Sequence, residues 1–297
     1  MKKIVFTLKR AAELSKKKLE VGMFNRFAIF TTILCAAVLS STPNLQAQKS
    51  EKSEKFKVKN IVLVHGAFAD GSGWRSVHDI LVRDGFHVTA VQEPETAFLD
   101  DVAAVRRILL QQDGPTILVA HSYGGSVITE AGTGFSPNPV VGLVYVAAHM
   151  PDRGESEAGD GRLFPSALSQ SNAMMTTPDG FTFLDPAQFP FFFAADLPIE
   201  LATFMANSQV FNAAVNFQFV ITRPAWREFP SSMVVAGADR IINPDLERFY
   251  AARAHSFTVE VPGSSHVVFI SHPKVVARVI ERAAGADSDE DDREDDR

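Results

Sequence analysis

The sequence predicts a doubly wound α/β domain on a mainly parallel six-stranded sheet, with a helical cap inserted late in the chain. Three observations lead there. Short, wholly apolar runs rich in Val and Ile recur between residues 60 and 284. Stretches with apolar residues at helical spacing separate them. One long segment, 151–230, breaks that alternation. Apolar runs of this length suit strands buried on both faces, as inside a parallel sheet.

In chain order, Ile61–Val64 predicts the first strand and Trp74–Arg83 a helix. His87–Val91 is a weaker strand, and Leu99–Gln112 a second helix. Thr116–Ala120 is again wholly apolar, and a helix should begin near Tyr123. Val141–Ala147, Met233–Ala236 and Thr258–Val261 complete the six. Pro244 and Pro273 suit first helical positions, with Asn243 and His272 before them. Val275–Arg282 continues the last helix. Strand–helix alternation of this kind builds a parallel sheet covered by helices. The core is therefore expected at 60–150 and 231–284.

Segment 151–230 has no clean strand pattern and holds twelve of the chain's 24 Phe, including Phe189 and Phe191–Phe193. An insertion that long is usually functional. It reads as a mostly helical cap over the carboxyl edge of the sheet, which makes Phe191, Phe192 and Phe193 candidates for gripping a substrate. Phe68, on a loop after the first strand, is a fourth.

Composition excludes other classes. With 297 residues, 46% apolar and 22% charged, the chain is globular. Its net charge of −6 hides an asymmetry. Residues 1–47 carry +6, the tail 285–297 carries −6, and the body is mildly acidic. A body without a basic patch argues against a nucleic-acid partner. Residues 27–39 are thirteen without a charge, short of the about 20 that a membrane helix needs. Basic residues precede them and Ala47 closes a polar stretch, so 1–47 reads as a signal peptide of an exported protein, secreted or periplasmic, with Met23 an alternative start. No membrane span is then expected after processing. Residues 48–59 read as a linker, and 285–297 as an acidic disordered tail. The one cysteine, Cys35, lies in the segment to be removed, which leaves no disulfide, thiolate metal site or cysteine nucleophile.

The chemistry starts at TILVAHSYGG (116–125). A strand ends, a helix begins, and Ser122 sits between them in a small-x-Ser-x-Gly frame. A serine on a sharp strand-to-helix turn is pushed above the sheet, with a helix N-terminus facing any developing negative charge. His65-Gly66-Ala67-Phe68 follows the first strand and can aim backbone N–H groups into the same space. Ala67 and Tyr123 are the expected oxyanion donors, with Phe68 the alternative to Ala67. His65 reads as a structural histidine.

A serine hydroxyl needs a base, and the base an orienting carboxylate. His266 is the best placed of eight histidines, in a loop after the last strand. Asp239 follows the strand MVVAG; Asp152, in HMPDRG, is its rival. The order Ser122, Asp239, His266 is the one a serine on such a turn requires. No metal-ligand spacing is visible, so neither metal nor organic cofactor is expected.

These pieces resemble the α/β-hydrolases, close to their methylesterase and hydroxynitrile-lyase branch and to secreted bacterial relatives. VLVHGAFADGSGW, LVAHSYGG, VYVAAHMPD, AGADRIINPDLERF and GSSHVVFISHP carry the likeness. The resemblance implies an oxyanion hole from Ala67 and Tyr123. The lyases carry Thr where this chain has Gly66, and Lys directly after the catalytic His, where it has Val267. Without that cation there is nothing to stabilise a leaving cyanide, so the resemblance favours hydrolysis. The Phe-rich cap then points to a small-molecule carboxylic ester with an apolar or aromatic group. A lactonase with the same triad, and a ligand-binding protein with a vestigial one, are the alternatives.

Overall fold

The computed structural model describes residues 58–285. The expected signal peptide 1–47, most of the expected linker 48–59 and all but the first residue of the expected acidic tail lie outside the described residues. The linker's last two residues already belong to the body. Val58 is buried and donates its N–H to the carbonyl of Ala284.

The chain runs β1 (Asn60–Val64), α1 (Arg75–Arg83), β2 (His87–Ala90), α2 (Phe98–Leu109), β3 (Thr116–Ser122), α3 (Tyr123–Ala131) and β4 (Val140–Ala148). After the insertion come β8 (Ser231–Ala236), α7 (Pro244–Ala254), β9 (Phe257–Val261), α8 (Val268–Ser271) and α9 (Pro273–Ala283). The six strands form one sheet in the order β2-β1-β3-β4-β8-β9, and every pairing is parallel.

Burial explains the strength of each strand's sequence signal. All of β1 and β3 is buried, and each holds a continuous apolar run, Ile61–Val64 and Ile117–Ala120. β2 and β9 are edge strands with exposed residues, so their apolar runs are shorter or interrupted. α1 packs against α9 and α2 against α3. Asn243 caps α7 by accepting from the N–H of Asp245, with Pro244 at the first turn.

Between β4 and β8 the chain holds three short helices, α4 (Glu157–Leu163), α5 (Phe189–Phe192) and α6 (Ile199–Asn207). It also holds a small antiparallel sheet, β5 (Met174–Thr176), β6 (Phe181–Leu184) and β7 (Asn212–Ala213), which the sequence did not announce. These strands have two to four residues, too few for an alternation to show.

The order of strands reverses direction on either side of β1. Crevices at the carboxyl edge beside such a reversal are where open α/β sheets take ligands. The loops after β1, β3, β4, β8 and β9 all emerge at that edge.

Candidate active site

Ser122 ends β3, and Tyr123 begins α3. The serine backbone sits at φ 53° and ψ −126°. Residues with a side chain avoid positive φ, and such strain persists only where the surroundings enforce it. Here close packing enforces it. A Cβ at Gly124 would lie 2.2 Å from the carbonyl oxygen of His65, and one at Gly125 2.2 Å from that of His149. The first turn of α3 is thus pressed onto the ends of β1 and β4. A Cβ at Gly66 would lie 2.6 Å from the Cβ of Ser122. Any side chain there would crowd the serine.

The structure brings the three predicted side chains into one line. His266 Nε2 is 2.8 Å from Ser122 Oγ, and His266 Nδ1 is 2.6 Å from Asp239 Oδ2. All three residues are buried. Asp239 Oδ1 accepts from the N–H groups of Ile241 (2.7 Å) and Ile242 (3.1 Å), which fixes the carboxylate. Asp152 is elsewhere, paired with Arg227. Ala67 and Tyr123 line the same cavity as Ser122. As the first residue of a helix, Tyr123 has an N–H without an intrahelical partner.

Residues that the sequence did not single out hold this line in place. His121 Nε2 donates to the carbonyl of His266 (2.9 Å), and the two rings lie 4.4 Å apart. Burial keeps His121 neutral by pushing its pKa well below the usual value. Asp196 accepts from the N–H (3.0 Å) and the hydroxyl of Ser265, the residue before His266. Glu247 accepts from the N–H of Ala236 at the end of β8 (3.1 Å). Burial, and then the charge of Asp239, raise the Glu247 pKa well above normal. Only the residue type hinted at His121, a histidine beside the serine. Nothing in the sequence singled out Asp196 or Glu247.

His65 is structural, as expected. Its Nδ1 donates to the carbonyl of Gly66 (3.0 Å), and its Nε2 accepts from the N–H of Glu93 (2.9 Å). Behind it lie Glu93, Glu95 and Asp101, all buried. Desolvation raises all three pKa values, that of Asp101 to about 6. Asp101 accepts from the Tyr123 hydroxyl (2.6 Å) and the Glu95 N–H (2.8 Å).

The cavity at Ser122 has a volume of about 710 Å³. Its apolar wall includes Phe68, Phe164, Leu168, Phe217, Ile242 and Leu246. Phe68 thus stands where the sequence suggested, whereas Phe191, Phe192 and Phe193 are outside this lining. The reason is the short helix α5, which turns each ring toward another partner. Phe191 is 57% exposed and carries the Arg240 guanidinium on its face, 4.0 Å from the ring centre. Phe192 is buried against Phe191. Phe193 meets His266 edge-on at 4.9 Å. Polar side chains also line the cavity, among them His149, Glu157, Arg162 and Gln170. Among the described residues, no group of three His, Cys, Asp or Glu is placed to hold a metal ion.

A model of the alpha/beta hydrolase family matches residues 61–279. The chain belongs to the alpha/beta hydrolase family. Within it, this hydrolase is similar to Methylesterase 18 of Arabidopsis thaliana, with 27% identity over 267 residues, covering 76% of this chain and 97% of that protein. It is also similar to the alpha/beta hydrolase nvfD of Aspergillus novofumigatus, with 23% identity across 76% of this chain and 96% of the relative. The fold matches the pyrethroid hydrolase of Sphingobium faniae JZ-2 at a TM-score of 0.66 and 20% identity, over 77% of this chain and 98% of that one. Polyneuridine aldehyde esterase matches at 0.63 and 16%, over 75% and 98%.

Proposed function

We propose that this alpha/beta hydrolase cleaves carboxylic esters through an acyl-enzyme on Ser122. The observation that carries the reading is the hydrogen-bonded line Ser122–His266–Asp239 opening into a cavity. His266 takes the serine proton as Oγ attacks the ester carbonyl, and Asp239 holds the ring and balances the imidazolium. The amides of Ala67 and Tyr123 receive the oxyanion. His266 then protonates the leaving alcohol and activates the water that releases the acid. The methylesterase and esterase relatives support ester cleavage.

The cavity supports small to medium apolar or aromatic esters. Its volume is within the usual range for small-molecule sites, roughly 300–1,000 Å³. We further propose that residues 1–47 direct export and are removed. No helix among the described residues is long and apolar enough to cross a membrane.

Labelling with a fluorophosphonate tests the first reading. Peptide mapping should find the adduct on Ser122, and 4-nitrophenyl butanoate should give a burst of nitrophenolate followed by steady turnover. A protein that neither labels nor turns over any ester of an acyl and aryl panel would be a binding protein instead.

A further inference from the structure

His149 and Glu157 stand apart from the reacting line yet line the same cavity. His149 follows β4, and its backbone N–H donates to the carbonyl of Ser122 (3.2 Å), so its position is tied to the serine. Glu157 opens α4, in the segment between β4 and β8. The two meet at 3.2 Å between His149 Nε2 and Glu157 Oε1. Ser126 Oγ, one turn into α3, donates to Glu157 Oε2 at 3.1 Å.

Such groups are costly in an apolar wall. The His149 side chain is 10% exposed and that of Glu157 13%. His149 Nδ1 is buried without a hydrogen-bond partner. A buried polar atom left unpaired costs about 1–3 kcal/mol. A few polar groups in a mostly apolar pocket are what fix a ligand's orientation.

We propose that His149 and Glu157 form a polar subsite in the Ser122 cavity that takes up an uncharged hydroxyl group of the substrate. The subsite rests on the ester reading only in placing the reacting carbonyl at Ser122. The chemistry favours a hydroxyl for two reasons. The acid and the imidazole share one proton between them, and a hydroxyl both donates and accepts, so it completes the pair wherever that proton sits. The pair also carries little net charge. Burial raises the Glu157 pKa to about 8 and lowers that of His149 to about 3. A carboxylate or ammonium group would find no counter-charge in this pair.

The test compares kcat/KM for matched esters: phenyl 3-hydroxybutanoate against phenyl butanoate, and 3-hydroxybenzyl butanoate against benzyl butanoate. A ratio within one preparation is independent of how much enzyme is folded. The native protein should favour one hydroxylated ester by about tenfold or more. Glu157→Leu and His149→Phe should bring that ratio close to one, and Glu157→Gln should retain most of it. Ratios near one in the native protein, or ratios unchanged in Glu157→Leu, would overturn the subsite. So would a preference for phenyl hydrogen succinate, which would point to a cation such as Arg162 at the cavity wall. A protein without turnover would fail the ester reading instead. The subsite is then read from thermal shift, where N-phenyl 3-hydroxybutanamide or N-(3-hydroxybenzyl)butanamide should raise Tm more than its plain counterpart. Equal shifts for both pairs would overturn it.

Discussion

The N–H of Ala238 donates to the carbonyl of Ser264 at 2.9 Å, so the loop that carries Asp239 is bonded directly to the loop that carries His266. A second bond, from the Gly237 N–H to the carbonyl of Val261 (3.0 Å), continues the β8–β9 ladder to the base of both loops. The sheet therefore sets Asp239 and His266 relative to each other. Ser122→Ala should lower kcat by about 10³-fold or more while the fold survives. Asp239→Asn should cost far more than Asp152→Asn, whose carboxylate serves Arg227. Steady-state kinetics on 4-nitrophenyl butanoate checks both, and a larger loss in Asp152→Asn would reassign the acid.

Gly124 gives a prediction about stability. Its Cβ would stand 2.2 Å from a backbone oxygen, which no rotamer change relieves. Gly124→Ala should cost about 1–3 kcal/mol or more and displace the serine. Gly161, inside α4, has nothing within 4 Å of an added Cβ. Gly161→Ala should therefore be neutral or stabilise by up to about 1 kcal/mol. Chemical denaturation of the two variants side by side measures the contrast.

Buried acids set the pH dependence of stability. The pKa values of Glu93, Glu95 and Glu247 are raised well above normal in the folded state, and that of Glu157 reaches about 8. The unfolded chain releases these protons near its ordinary carboxylate values, so above them the folded state binds more protons. Stability from these groups is fully present at low pH and is lost as pH rises through the folded pKa values. His65, His121 and His149 act in the opposite sense, because burial lowers their pKa values, and they add stability only up to the ordinary histidine value near 6.5. Between about pH 6.5 and 9, Tm should fall, and Glu157→Gln should flatten the part below about pH 8. A Tm that rises across that window would contradict the assignment of neutral buried acids.

Substrate size should be read by Phe164 and Phe217, not by the Phe191 run. Activity on 4-nitrophenyl esters should rise from acetyl to somewhat longer acyl groups and then fall. Phe217→Ala should move the optimum to longer chains, since Phe217 lines the cavity and packs against Tyr123 at 5.7 Å. Phe191→Leu should leave the optimum in place. A flat profile in the native protein would mean that the aromatic wall does not discriminate.

Export has a simple check. Mass spectrometry of the exported protein should find an N-terminus near Gln48. Residues 23–47 retained on a membrane-bound form would show an anchor instead.

Much of this molecule was legible because its strands are buried on both faces and leave continuous apolar runs. The turn at Ser122 was legible because tight backbone packing demands small neighbours, and Gly124 and Gly125 meet that demand. Asp239 and His266 followed from their places after strands. The run at 189–193 misled, since aromatic density does not say which way a four-residue helix turns each ring. Asp196, Glu247 and Glu157 were silent for a related reason. A carboxylate that accepts a bond from a distant loop looks, in sequence, like one facing water.

Asp196 belongs to the segment between β4 and β8, yet its carboxylate fastens Ser265, and Phe193 braces the ring of His266. The part of the chain that shapes the pocket thus also fixes the loop that carries His266. Transplanting this segment from a relative with a different substrate range would remove two supports of the base along with the old pocket. Under the proposed mechanism, specificity and catalytic competence travel together in this segment, and a productive chimera should carry an acid at 196 and an aromatic ring at 193.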